Sequence, residues 1–340
     1  MLSLSRHLWE TYWHLVCHRA ELPAPGDYLR LPVLAEEIVV FNDQGDLLAF
    51  DNRCPHRGTR IFAGSHGNGP ATCPYHGWTY CAGRMIIPRV SQFDGLDANK
   101  VDLNRWKTAW IGDFLFVGKA PAADIEMQLG DTKALLEDIA FGVDRRIDVN
   151  AFEFQTEWPL AVENALEPDH VSLIHPDSLG LLELQEGENH FFGENSVWYA
   201  PVGNARMSRQ LGALKRLFQL DYQYEGYMSL YLFPFTMLSS TFGYSYSLQN
   251  FFPSTTRGVT HFSSRLLAMT TRGGVDRQLL ESFFASTAQV NRRIFDEDHS
   301  ICKRVPLETW TAEPPRYAAR SEAKLLHFRG ACRKHLTTLA

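Results

Sequence analysis

Cys54-Pro55-His56-Arg57-Gly58 and Cys73-Pro74-Tyr75-His76-Gly77-Trp78 each bring one thiol and one imidazole together, with sixteen residues between His56 and Cys73. Two thiolates and two imidazoles suit a tetrahedral zinc ion, or a two-iron cluster in which one iron takes both sulfurs and the other both rings. Zinc fingers pair Cys with Cys and His with His. Here each loop supplies one of each, which favours the cluster. The Pro after each Cys and the Gly near each His suit two tight loops that face each other and aim backbone N–H groups at sulfur. Farther on, His170 and His175 stand five residues apart after Trp158-Pro159-Leu160-Ala161-Val162-Glu163-Asn164-Ala165-Leu166-Glu167. Two histidines and a distant carboxylate can hold a mononuclear iron(II) on one face, leaving positions open for O2. On its own that histidine spacing is a weak signal.

These residues need elements to position them. Short strands at Glu37–Phe41, Leu47–Phe50 and Phe114–Val117, separated by turn signals such as Asn42-Asp43-Gln44-Gly45, predict an all-β module over residues 28–117. The small-residue stretch 118–123 reads as a linker. Beyond it come a helical pattern over Asp131–Ala140, strands within Tyr227–Phe252, and helices over Asp276–Val305 and Arg320–His335. The fold class is therefore α+β, divided into 1–117 and 118–340, with no internal repeat. Glu163, Glu167 and His170 fall at i, i+4 and i+7, which predicts one helix face. His175 leaves that face, so a helix end or a π-bulge is expected between the histidines, where Pro168 precedes and Pro176 follows.

With both constellations in place, the chain resembles the Rieske non-heme iron oxygenases, the aromatic-ring-hydroxylating type, in their terminal oxygenase (alpha-type) component. CPHRG and CPYHGW match that family's cluster boxes. The segment from Asn164 through Glu167 to His170 and His175 matches its iron-binding segment, although many members carry Asp at the position of Glu167. Phe295-Asp296-Glu297-Asp298-His299-Ser300-Ile301-Cys302 matches its F-x-E-D-x-x-I-C box. The resemblance implies a [2Fe-2S] cluster held by Cys54, His56, Cys73 and His76. It also implies a mononuclear Fe(II) held by His170, His175 and Asp298, with Asp296 and Glu297 as competitors for the third ligand. Glu167 and Asn164 are then catalytic-site residues, Glu167 linking His170 to a cluster histidine of a neighbouring subunit in a homotrimer. The implied fold is an N-terminal Rieske domain followed by a helix-grip-like domain with a curved antiparallel sheet. The implied activity is O2-dependent mono- or dihydroxylation of a small aromatic organic substrate. O- or N-demethylation remains an alternative, and so does a Rieske electron carrier without oxygenase activity.

The rest of the sequence narrows the partners. No flavin or nicotinamide glycine motif is present, so electrons must come from a separate reductase or ferredoxin. A formal charge of -6 offers no basic surface for nucleic acid. Six irregularly spaced cysteines and an N-terminus without an apolar signal core lead to the expectation of a cytoplasmic protein with reduced thiols. The charge-free run Gly226–Thr256 is long enough to span a bilayer, but Pro234, Gly243 and Pro253 interrupt it, and its period of two predicts two or three buried strands. Its nine aromatic residues are expected mostly in a sheet core, with Trp78 shielding the cluster.

Overall fold

The computed structural model describes residues 1–222, 224–272, 274–311 and 317–339. The first part opens with α1 (Leu2–Thr11) and β1 (His14–His18). It continues through β2 (Asp27–Val33), β3 (Glu36–Asp43), β4 (Asp46–Asp51), β5 (His66–Asn68), β6 (Ala71–Thr72), β7 (Thr79–Cys81) and β8 (Arg84–Ile86) to β9 (Lys107–Ile111) and β10 (Phe114–Gly118). Three antiparallel sheets result: β4-β3-β2-β5, β6-β7-β8 and β1-β10-β9. Val39, Phe41, Phe50, Phe62, Trp78 and Tyr80 fill the core between the first two sheets, with Cys54 and Cys73 at its edge.

The second part runs through α2 (Ile125–Leu129), α3 (Thr132–Gly142), β11 (Val143–Phe154), α4 (Trp158–Leu166), α5 (Val171–Ile174), β12 (Glu188–Phe192), β13 (Asn195–Pro201) and α6 (Ala205–Phe218). Then come β14 (Gly226–Leu232), β15 (Thr236–Thr241), β16 (Ser245–Pro253), β17 (Thr260–Met269), α7 (Arg277–Cys302), α8 (Glu308–Thr311) and α9 (Ala323–Leu339). Its seven strands form one antiparallel sheet in the order β11-β17-β16-β15-β14-β13-β12. α7 packs on β11 and β17 and against α4, which also touches α9. Asp276 caps α7, its Oδ1 accepting from the Leu279 amide at 3.0 Å.

The charge-free run becomes β14, β15 and β16 at the middle of this sheet, and both faces are covered. Met228, Leu230, Leu232, Leu238, Tyr246 and Leu248 pack against Leu15, Ile111, Phe114, Phe116, Leu129 and Leu136. The alternate residues face the α4 and α7 side. Two-sided burial excludes charge from a strand, which explains the run without a membrane. No described helix is long and apolar enough to cross a bilayer.

One expectation needs correction. Glu163, Glu167 and His170 do not share a helix face, because α4 stops at Leu166 and Glu167 is extended, with φ -94 and ψ 126. Pro168 causes this, since its ring disfavours helical geometry in the residue before it. Glu163 instead points into the core, where Arg329 of α9 holds it through two hydrogen bonds, Nη2 to Oε2 at 2.9 Å and Nε to Oε1. Both side chains are less than a tenth exposed. Glu163→Ala would strand the guanidinium without its counter-charge. It is expected to cost about 3–5 kcal/mol, read as a lower denaturant midpoint.

Candidate metal centres and the cavity between them and the sheet

The two Cys-His loops are built alike. In the first, the Cys54 amide donates to the Thr59 carbonyl at 2.8 Å and the Gly58 amide to the Cys54 carbonyl at 2.8 Å. In the second, the Cys73 amide donates to the Trp78 carbonyl at 2.8 Å and the Gly77 amide to the Cys73 carbonyl at 3.0 Å. Both turns close through a glycine of left-handed conformation, Gly58 at φ 74 and Gly77 at φ 72, which a side chain would strain. The sequence signal of Gly near His thus has a backbone cause.

Cys54 and Cys73 are buried, unpaired by any disulfide, and close enough for their thiols to interact. Burial, and then the Cys73 thiol, push the Cys54 thiol above its usual range, against the amides of His56 and Arg57 that point at its sulfur. Two such thiols ionise together when a cation lies between them. The imidazoles stand on the outer side, ring centroids 4.7 Å apart, His76 exposed and His56 half-buried. His56 stacks on Trp78 at 4.8 Å and 7°, and its buried Nδ1 has no partner. A buried, unpartnered ring nitrogen beside paired thiols is what ligation by a cluster would satisfy.

In the second part, His170 precedes α5 and His175 follows it, so one short helical turn separates them. The helix end expected between the histidines is that of α5 at Ile174, with His175 as its C-cap, while α4 has already stopped at Leu166. α7 brings Asp298 opposite them, with Oδ1 3.1 Å from His175 Nε2 and 3.5 Å from His170 Nε2. Ligand atoms of the three residues lie within 4.8 Å of one another. Asn164, from the last turn of α4, donates Nδ2 to Asp298 Oδ1 at 2.7 Å. Burial works against a charge on Asp298, yet hydrogen bonds from His170 and His175 hold it down to about 2. Burial likewise lowers His170, and the bonds to Asp298 and Glu167 overcome it, raising the ring to about 9. A divalent cation held by these three groups would take over the charge balance that the hydrogen bonds provide here. The donor set of two imidazoles and one carboxylate fits iron(II).

Each of these rings is held from behind. His170 Nδ1 meets Glu167 Oε2 at 2.9 Å, and His175 Nδ1 meets Glu297 Oε2 at 2.8 Å. A carboxylate at Nδ1 keeps the proton there and leaves Nε2 to face the metal. Glu297, weighed from sequence as a rival third ligand, occupies this supporting place. Ser178 Oγ and Arg293 Nε also bond to it, at 2.9 and 2.8 Å. Asp296 is exposed. His299 turns away, its Nε2 accepting from the Gln155 amide at 3.0 Å. The sequence carried no signal for Glu297 beyond its position, because the contact joins residues 122 apart.

A cavity of about 380 Å³ opens from this centre between α7 and the sheet. Of the nine aromatic residues in the charge-free run, Tyr227 and Tyr244 line it. Seven others fill the core or pack beneath helices, as expected for most of them. Trp198, Phe283 and Phe295, outside the run, complete its aromatic lining, while Ser229, Ser239, Ser247 and Gln249 give it a polar wall.

Residues 12–93 match the Rieske [2Fe-2S] domain family. A carnitine monooxygenase oxygenase subunit of Acinetobacter baumannii is 31% identical over 210 residues, covering 58% of this chain and 54% of that protein. A glycine betaine monooxygenase oxygenase subunit of Chromohalobacter salexigens is 32% identical over 185 residues, covering 52% and 41%. The chain spans about half the length of the curated relatives it matches. Among solved structures, a quaternary ammonium Rieske monooxygenase, CntA, in complex with L-carnitine superposes with a TM-score of 0.72 at 18% identity, covering 97% of this chain and 91% of that one. Naphthalene 1,2-dioxygenase from Rhodococcus sp. superposes at 0.69 with 17% identity, covering 100% and 92%. At these identities the superpositions speak for the fold.

Proposed function

We propose that this chain, which carries a Rieske [2Fe-2S] domain and is related to the oxygenase subunits of Rieske oxygenases, is itself the terminal oxygenase of such a system. The observation that carries the reading is the convergence of His170, His175 and Asp298 at the head of a cavity, in a chain that also holds the two Cys-His loops. We assign Cys54, His56, Cys73 and His76 to the cluster and the triad to mononuclear iron(II).

When bound, the two centres would supply electrons and O2 activation, which protein side chains lack. The chain's own residues do the positioning. Glu167 and Glu297 hold the two rings with Nε2 inward, and Asn164 turns Asp298 toward them. The sheet and α7 exclude water from the cavity and seat a small organic substrate against the triad. Electrons come from a separate reductase or ferredoxin. Exposed His76 and the partly exposed Glu167 suit a head-to-tail homotrimer in which Glu167 meets a cluster histidine of the next copy. In that assembly 1–117 receives electrons and 118–340 spends them. Six cysteines without a disulfide suit the reducing cytoplasm.

The test is O2 uptake by reconstituted protein with a surrogate reductase and a substrate panel, followed by the product's mass under 18O2. Uptake that depends on substrate, with label in the product, is the expected result. Two irons per chain rather than three, with no substrate-dependent uptake, would leave an electron carrier instead.

A further inference from the structure

The polar wall of the cavity is backed by a buried lysine that has no acid beside it. Lys324, in the first turn of α9, is 2% exposed, and its Nζ donates to the Ser229 carbonyl and to Ser229 Oγ, both at 3.0 Å. Among the described residues no carboxylate pairs with it, and burial alone lowers its ammonium to about 7. Ser229 faces the cavity, so Lys324 stands one hydrogen bond behind the wall. With the lysine occupying one lone pair of Ser229 Oγ, the hydroxyl hydrogen is left to point elsewhere; in this structure it meets the weak acceptor Met237 Sδ at 3.4 Å.

Gln249 adds a second, independent observation. It lies 2% exposed in the same wall, its Nε2 directed at Ser239 Oγ and Ser247 Oγ, at 3.2 and 3.4 Å, and its Oε1 has no partner. The two serine hydroxyls can donate as well as accept, so the amide can turn over and present N–H instead. Either way one polar end is unmet, as it would be where a ligand completes the site. A buried ammonium held only by neutral oxygens is costly, and a hydrophobic side chain of the same length would pack there without that cost. The arrangement becomes favourable when an anion enters.

Resting on the oxygenase reading only for what the cavity holds, we propose that the substrate bears an anionic group, a carboxylate, seated on Ser229 and Gln249 and balanced by Lys324.

The test is anaerobic calorimetric binding to the protein loaded with cluster and iron. The probes are benzoate, phenylacetate and acetate, each against its primary amide. An acid is expected to bind about ten- to hundred-fold tighter than its amide. Lys324→Met should bring that ratio near one, and Ser229→Ala should narrow it. Ser229→Ala stands as the deciding variant if Lys324→Met does not fold. A merely structural lysine would change stability and leave the ratio alone. Acids that bind no tighter than amides, or that do not bind at all, overturn the proposal, as does a ratio that survives both substitutions. An acid that binds through Lys324 but is never oxygenated removes the oxygenase reading and keeps the anion site. Oxygenation of neutral compounds with no preference for acids does the reverse.

Discussion

Asp298→Ala is expected to remove the mononuclear iron and leave the cluster. Metal analysis should fall from three irons per chain to two, with the red-brown colour and the acid-labile sulfide unchanged. The reason is geometric: Asp298 Oδ1 is the atom toward which both Nε2 atoms converge, and Asn164 fixes it there. Without it two imidazoles remain, which is too few for a site that must keep open positions. Product formation should vanish, beyond the about 10–100-fold loss that follows removal of a group standing behind a ligand. An Asp298→Ala protein that still binds three irons would move the third ligand elsewhere, Glu297 being the first candidate.

Glu167→Gln tests a different link. The carboxylate accepts on both oxygens, Oε1 from the backbone amides of Asp169 and His170 and Oε2 from His170 Nδ1. A glutamine has one acceptor oxygen, so whichever way its amide turns, an N–H faces an N–H. Iron content should stay at three per chain when Fe(II) is in excess. Reoxidation of the reduced cluster in a single turnover should slow by about 10–100-fold. Glu167→Asp, which keeps two acceptor oxygens on a shorter arm, should recover part of the rate. A Gln variant that turns over normally would remove Glu167 from the link between the centres.

The convergence of these groups was legible to different depths. The Cys-His loops are local, each complete within six residues, and their glycines mark the left-handed turns that close them. His170, His175 and Asp298 sit in two segments whose spacing and wording resemble a family, so their meeting could be expected before any geometry. The path between them could not. Periodicity ran the helix through Glu167, because a 3.6 pattern registers side-chain type and not the Pro168 ring that ends the helix one residue earlier. Glu297 and Lys324 were illegible for another reason. Each acts on a residue roughly a hundred positions away, His175 and Ser229, and one acid in an acidic triplet or one lysine at a helix start carries no local mark of that. The nine aromatic residues were legible as strand and core, but their sorting by face needed the sheet.

That sorting places two tasks in one stretch of chain. Along β14, β15 and β16, positions 228, 230, 238, 246 and 248 are tied to the packing between the two halves of the protein. Positions 227, 229, 237, 239, 247 and 249, interleaved with them, touch the cavity. Adjacent residues therefore serve separate ends, and substrate preference can be altered through every second position while the fold is kept by the others. A library that randomises only the cavity-facing set should yield folded proteins at a far higher rate than one of equal size drawn from the intervening set.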